Sequence, residues 1–350
     1  MDKVVRAVDV GYGNTKYVTG VEGNALRCAH FASSAPVCAS HEAREALGGK
    51  RRTLGIGIGD FTYEVGPDAH LAAEVYQTRQ MHDGYCETPE YLALTRGALG
   101  FMKIERIDLL VLGLPVATYK TRRASLERRM KGLHALDKGR GVLVERVKVV
   151  AQPQGALMLF GVQNNRIDQI NHERNLVIDA GARTFDWLVA QGLRVIEKRS
   201  DSANKGMFDV LHSIAEAISD AENTRLRDYE RIDAALRAGT RPKIFGKEHD
   251  ISAAARAARR IPDEAVGEML RYVGDGNDID NILLVGGAAF FYGPSVRAAF
   301  PKHKVHELGD GLYANVKGFQ IAGMEMARSF GAGPASAGDP KIEAATGADS

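Results

Sequence analysis

The feature that most constrains this chain is an internal repeat. The segment LVIDAGARTFDWLVAQGLRVIEKRS, Leu176 to Ser200, follows the same order as the N-terminal MDKVVRAVDVGYGNTKYVTG: an apolar strand, an aspartate, a small turn with glycine two residues on, a threonine and a second strand. Asp9 and Asp179 stand 170 residues apart, the size of one domain, and 350 residues are too many for a single core. The repeat predicts two related α/β domains, about residues 1–165 and 166–330. Each opens with a β-hairpin that presents a carboxylate and a glycine turn.

The remaining elements follow from hydrophobic pattern and turn residues. Val4 to Val10 and Thr15 to Thr19 form the first hairpin, joined by Gly11-Tyr12-Gly13-Asn14, with strands at Ala25–Ala32, Arg52–Ile58 and Thr62–Val65. Glycine-spaced Gly55-Ile56-Gly57-Ile58-Gly59 reads as strand and turn. A helix is expected over Tyr91–Met102, and the apolar run Ile107–Leu112 is a central strand. A basic helix follows, Tyr119–Lys131, carrying Lys120, Arg122, Arg123, Arg128, Arg129 and Lys131; it is either a solvated face or a contact surface for an acidic partner or a second copy.

Beyond it, a strand over Val144–Val150, an apolar helix over Ala156–Val162 and a strand over Asn175–Asp179 lead into the second hairpin, with a tight turn at Gln191-Gly192 and a third strand. A helix over Lys205–Ala221 precedes a compositional change through Glu222–Pro262 that reads as an insertion, and Ala32–Glu90 reads as another. Asn281–Val285 returns as a buried strand ending in Gly286-Gly287-Ala288-Ala289, and a last helix covers Asn315–Ser329, expected to pack back on the first domain. Residues 331–350 hold too little apolar content to pack and read as a disordered tail.

Two carboxylates on two hairpins, each followed by glycine-turn N–H groups, suggest a cation and a polyphosphate clamped between the domains. Asp9 would sit at its strand end, Gly11 and Gly13 would let backbone approach oxygen atoms, Asn14 and Thr15 would donate hydrogen bonds, and Lys16 would neutralise charge. Asp179, Gly181 and Thr184 would act from the opposite wall. A strand-Asp-Gly hairpin alone is more often structural, and its duplication at domain spacing raises the functional reading. Competing phosphate motifs fail: no G-x-x-x-x-G-K-[ST] occurs, and Lys16 occupies the third glycine position of a forced G-x-G-x-x-G, with a strand rather than a helix following.

These residues resemble the actin, Hsp70 and hexokinase superfamily of ATPases. DVGYGNTK at Asp9–Lys16 is similar to its first phosphate motif and DAGARTFD at Asp179–Asp186 to the second. AQPQGAL at Ala151–Leu157 resembles the first connecting helix, LLVGGAAFF at Leu283–Phe291 the adenosine motif, and GLYANVKGF at Gly311–Phe319 the second connection. The resemblance implies an actin-like fold: two duplicated ribonuclease-H-like domains with a nucleotide in the cleft and small inserted subdomains. Within the superfamily, LLVLGLPV before the basic helix and Ile232–Gly239 running into Lys243–Gly246 resemble the ParM/StbA group of plasmid proteins, including the PRTRC type.

By that resemblance the cofactors are ATP/ADP and Mg²⁺, with Asp9 and Asp179 holding the metal through waters and Lys16 on the phosphates. Gln152 orients the attacking water, with Gln154 as second candidate; an amide is no strong base, so turnover should be slow. The nucleotide contacts would further include Ala182, Arg183, Gly286, Gly287 and Ala288. Arg183 either donates to the γ-phosphate or points to solvent. Phe290, Phe291 and Pro294 either border the adenine or belong to the core, where Trp187 is also placed, and Asp108 reads as structural.

The implied function is a polymerising ATPase whose partners are its own copies and an adaptor bridging the filament to centromere-like plasmid DNA. Small-molecule kinase and non-polymerising switch are the alternatives. A kinase needs a base facing an acceptor in the cleft, and no residue beyond Asp108 presents itself; a chaperone would need a substrate domain, and a membrane anchor an amphipathic helix that residues 331–350 cannot form. Composition agrees with a cytoplasmic location: net charge is +2, so direct strong nucleic-acid binding is not expected, no window reaches membrane length, and Cys28, Cys38 and Cys86 form no C-x-x-C pair. The ten histidines form no ligand pattern.

Overall fold

The computed structural model describes residues 3–23, 25–38, 51–72, 82, 84–136 and 139–330. Two main sheets repeat one topology. In the first the spatial order is Val147–Ala151, Leu109–Leu114, Val5–Val10, Asn14–Glu22, Ala25–Ala32. In the second it is Val305–Glu307, Asn281–Val285, Arg174–Ala180, Phe185–Gln191, Arg194–Val195, with Asp201–Ala203 also on the Phe185–Gln191 strand. In each, the opening strand pairs antiparallel with its hairpin partner on one side and parallel with a later strand on the other. Parallel central strands are covered on both faces, which is why Leu109–Leu114 and Asn281–Val285 are buried along their whole length.

The two connecting helices exchange places. Gln152–Gln163 leaves the first sheet and packs on the second, while Ala314–Ser329 leaves the second and lies on Val5–Val10 and Leu109–Leu114. They cross backbone to backbone. A Cβ on Gly318 would stand 1.7 Å from the Gly155 carbonyl oxygen, and one on Gly155 would stand 2.3 Å from that of Asn315. Phe319 fills the space beside this crossing, fully buried, against Gly113 and Gly155.

Two expected strands are each split. Arg106–Ile107 and Gly141–Val144 join Gly132–Ala135 in a separate three-stranded sheet, while Leu109–Leu114 and Val147–Ala151 stay in the main one. Asp108 sits at the first break, where its carboxylate accepts from the Val4 N–H at 2.8 Å, so its role here is structural. Within residues 32–90, expected as an insertion, lies a small sheet of Val37–Cys38, Leu54–Ile58 and Phe61–Val65. Within residues 222–262, expected as another, lie the helix Tyr229–Ala238, the ribbon Lys243–Ile244 with Lys247–Glu248, and the helix Ser252–Ala258.

Among the helices that sequence pattern passed over are Arg260–Val273 and Ala289–Ala299. Prolines disguise both: Pro262 lies in the first turn, where its missing N–H costs nothing, and Pro294 is inside the second helix. Trp187 is fully buried, as expected. The expected tail lies outside the described residues. Among those residues no helix is long and apolar enough to cross a membrane, and Cys28, Cys38 and Cys86 form no disulfide with one another.

The basic helix is Val116–Met130, and much of its charge has partners within the chain. Lys120 reaches Glu197 at 2.8 Å, Arg122 pairs with Glu87, Arg129 donates to the Cys86 and Thr88 carbonyls, and Arg123 stacks on Tyr119.

The glycine crossing yields a test with opposite signs. In an exposed helix interior Gly→Ala stabilises by up to about 1 kcal/mol, the result expected for Gly267→Ala in Arg260–Val273, where an added Cβ meets nothing within 4 Å. Gly318→Ala should instead destabilise by about 3 kcal/mol or more, because backbone cannot yield as a side chain does. Denaturant unfolding of the two variants measures both.

Candidate functional site

The two hairpin turns face each other across a cleft of about 1310 Å³ between the sheets. They are closed alike: the Gly11 N–H donates to the Asn14 carbonyl at 3.1 Å and the Gly181 N–H to the Thr184 carbonyl at 2.9 Å. Their tips touch, since a Cβ on Gly13 would lie 2.9 Å from that of Ala182. Gly286 closes the cleft beside the second turn. Its φ of +94° favours glycine, and a Cβ there would stand 2.3 Å from both the Ala180 carbonyl oxygen and Asp179 Oδ1.

Each turn is preceded by a buried carboxylate held by an amide from a connecting helix. Asp9 is fully buried, its Oδ1 accepting from Gln152 Nε2 at 2.7 Å and its Oδ2 from Lys16 Nζ at 2.6 Å. Asp179 Oδ2 accepts from Asn315 Nδ2 at 2.6 Å. The two amides are equivalent in the repeat: Gln152 and Asn315 each stand three residues before the glycine of the helix crossing. The charge balance differs. Asp9 has a lysine, whereas Asp179 has only an amide, and burial, reinforced by Asp186 and Asp9, pushes its carboxyl up to about 7 against the opposing pull of Lys16 and the Asn315 amide.

The predicted site residues line this cleft with three exceptions. The Thr15 hydroxyl is fully buried 2.9 Å from the Ser33 hydroxyl, which donates to the Gly11 carbonyl, so Thr15 braces the turn from behind. Gln154 is the second correction: its Oε1 accepts from the Ala151 N–H at 3.0 Å and its Nε2 donates to the Leu193 carbonyl, which fastens it to its own helix start. Arg183 takes neither expected course. It crosses to the other hairpin, donating to the Tyr12 hydroxyl at 3.0 Å and lying over the Tyr12 ring, which stacks in turn on Tyr85.

Phe291 is core, as one of the two readings had it, and Phe290 lies under the Arg237 guanidinium; neither lines the cleft.

Sequence reading missed two contributors. Asn315 had a signal in the matched Gln152–Gly155 and Asn315–Gly318 spacings. Asp186 closes the DAGARTFD segment, and its carboxylate crosses between the halves to accept from the Val116 N–H at 3.0 Å and from the Ser202 hydroxyl, which itself accepts from the Ala117 N–H. It thereby caps the basic helix from the other half of the chain, a partner 70 residues away that no local pattern reveals.

The raised Asp179 pKa has a definite sign for stability. A carboxyl whose folded pKa exceeds its unfolded value stabilises the fold below the unfolded pKa, and this is lost as pH rises through about 7. Asp179→Asn removes that loss, so the variant should gain about 2–3 kcal/mol on the ligand-free wild type between pH 5 and pH 8, each pKa unit being worth about 1.4 kcal/mol. Unfolding curves of both proteins at the two pH values check this; equal differences at both would contradict it.

Comparison with known proteins finds actin-like relatives of this fold. A family model described as actin-like proteins, N-terminal domain, matches residues 7–155, and one described as archaeal actin homologue MreB-like, C-terminal, matches residues 177–297. The crystal structure of an archaeal actin homologue is similar with a TM-score of 0.74 at 21% identity, covering 91% of this chain and 98% of that one. Its complex with ADP is similar at 0.73 and 18% identity, covering 91% and 98%. A 15-stranded ParM filament from Clostridium botulinum is similar at 0.70 and 17% identity, covering 94% of this chain and 100% of that one. No curated protein matches the sequence. An actin-like family model thus matches within each half of the chain, and the chain has the actin-like fold of these archaeal and bacterial homologues.

Proposed function

We propose that this chain binds ATP with Mg²⁺ between its two halves, residues 1–165 and 166–330, hydrolyses it slowly and assembles with its own copies into dynamic filaments that segregate plasmid DNA. The observation that carries this reading is the pair of facing turns, Gly11–Asn14 and Gly181–Thr184, each behind a buried carboxylate held by an amide. A polyphosphate placed between them meets backbone from both sides and Lys16 from one.

The donor set suits a cation that keeps most of its water. No cluster of three or more His, Cys, Asp or Glu suited to a metal exists among the described residues; Asp9 and Asp179, the carboxylates directly behind the two turns, would hold Mg²⁺ with phosphates and water completing its shell. Bound there, the cation would neutralise charge on the phosphates. Gln152 has its Nε2 engaged by Asp9, which leaves Oε1 to accept a hydrogen bond from a water and orient it. An amide positions without abstracting a proton, so hydrolysis rests on orientation and charge and is slow.

The filament half of the proposal draws on shared fold with a protein solved as a filament. The plasmid role extends the same analogy, with an adaptor bridging the filament to centromere-like DNA in the cytoplasm.

Right-angle light scattering with phosphate release in the same cuvette tests both halves. Mg·ATP should raise the scattering, which then decays as ATP is consumed. Asp179→Ala should keep the rise and lose phosphate release by about 100-fold or more. Hydrolysis with no scattering at any protein concentration would contradict the filament and leave a nucleotide switch; full turnover in Asp179→Ala would contradict the site.

A further inference from the structure

Asn315 carries an unused atom. Its side chain is 93% buried at the cleft wall and its Nδ2 is engaged by Asp179, but Oδ1 is buried with no hydrogen-bond partner among the described residues. An unsatisfied buried carbonyl oxygen is costly, and such groups in native structures call for an explanation. Gln320 Oε1, on the same helix, is also unpaired but lies away from the cleft lining.

The chemistry of the missing partner follows from the neighbours. Oδ1 is an acceptor next to a carboxylate, so it repels a phosphate oxygen and requires a donor. Water on a divalent cation is a strong donor whose charge is also attracted to Asp179. Gln152 occupies the equivalent position in the first half, where Lys16 already supplies the positive charge beside the carboxylate. In the second half that charge is absent from the amide–carboxylate pair.

We propose that Asn315 is a positioning residue of the cation site: Nδ2 fixes Asp179 while Oδ1 accepts a hydrogen bond from water carried by the Mg²⁺ that accompanies the nucleotide. This rests on the nucleotide reading above and deepens it.

Titration calorimetry with a non-hydrolysable ATP analogue, in Mg²⁺ and in EDTA, gives for each protein the factor by which Mg²⁺ tightens binding. Asn315→Ala should reduce that factor about tenfold, with metal-free affinity within about twofold of wild type. Asn315→Asp is nearly isosteric and keeps an acceptor beside Asp179, with a carboxyl that can add to the pull on the cation, so it should retain or raise the factor.

Tightening by the wild-type factor in Asn315→Ala overturns the proposal whatever the variant's melting temperature, because a structural role alone moves stability and not this ratio. Loss in Asn315→Asp equal to that in Asn315→Ala overturns it too, by placing the effect on the donor. Wild-type protein that binds the analogue equally with and without Mg²⁺ refutes the role of Asn315 while sparing the nucleotide site; wild-type protein that binds neither way refutes the nucleotide reading and this proposal together.

Discussion

Everything at the cleft depends on the contact between Gly155 and Gly318. The two connecting helices approach until backbone meets backbone, and each carries, three residues earlier, the amide that holds the carboxylate of its own half in place. Because each helix leaves one sheet and packs on the other, the crossing joins the halves of the chain and positions Gln152 and Asn315 together. The Arg183–Tyr12 contact at the hairpin tips and the Asp186 cap on the basic helix are further ties between the halves. Both lie within or next to the second turn, so a ligand that reorders this turn acts directly on contacts that span the cleft.

The two halves repeat in topology and differ in electrostatics. Asp9 and Lys16 form a buried pair that is close to neutral, and burying such a pair is tolerable when its hydrogen bonds are satisfied. Asp179 lacks a cation, lies near Asp186 and Asp9, and holds its proton up to about pH 7. As pH rises through that value the cleft takes on an unfavourable charge in one wall. A cation delivered with a polyphosphate, as proposed above, would relieve that repulsion, so the feature that destabilises the protein at neutral pH would strengthen binding.

The fold was largely legible because its constraints are local and then repeated. A β-branched run ending in Asp-x-Gly, a second strand and a glycine turn state a hairpin each time, and the repeat at domain spacing states the architecture. What stayed hidden depends on residues distant in sequence. The breaks at Asp108 and near Glu145 come from strands shared between two sheets, which an uninterrupted apolar run does not display. Thr15 and Gln154 looked like site residues by position, yet side-chain direction set one behind its turn and the other on its helix start. Asp186 and Asn315 act on partners 70 and 136 residues away, so composition and periodicity carry no trace of them beyond the matched amide–glycine spacing.

The most direct measurement of the central claim is a crystal structure of the chain with Mg²⁺ and a non-hydrolysable ATP analogue. The account predicts phosphates between the Gly11–Asn14 and Gly181–Thr184 turns, with the cation on the side of Asp9 and Asp179. A nucleotide bound elsewhere, with both turns and both carboxylate–amide pairs unchanged, would contradict it.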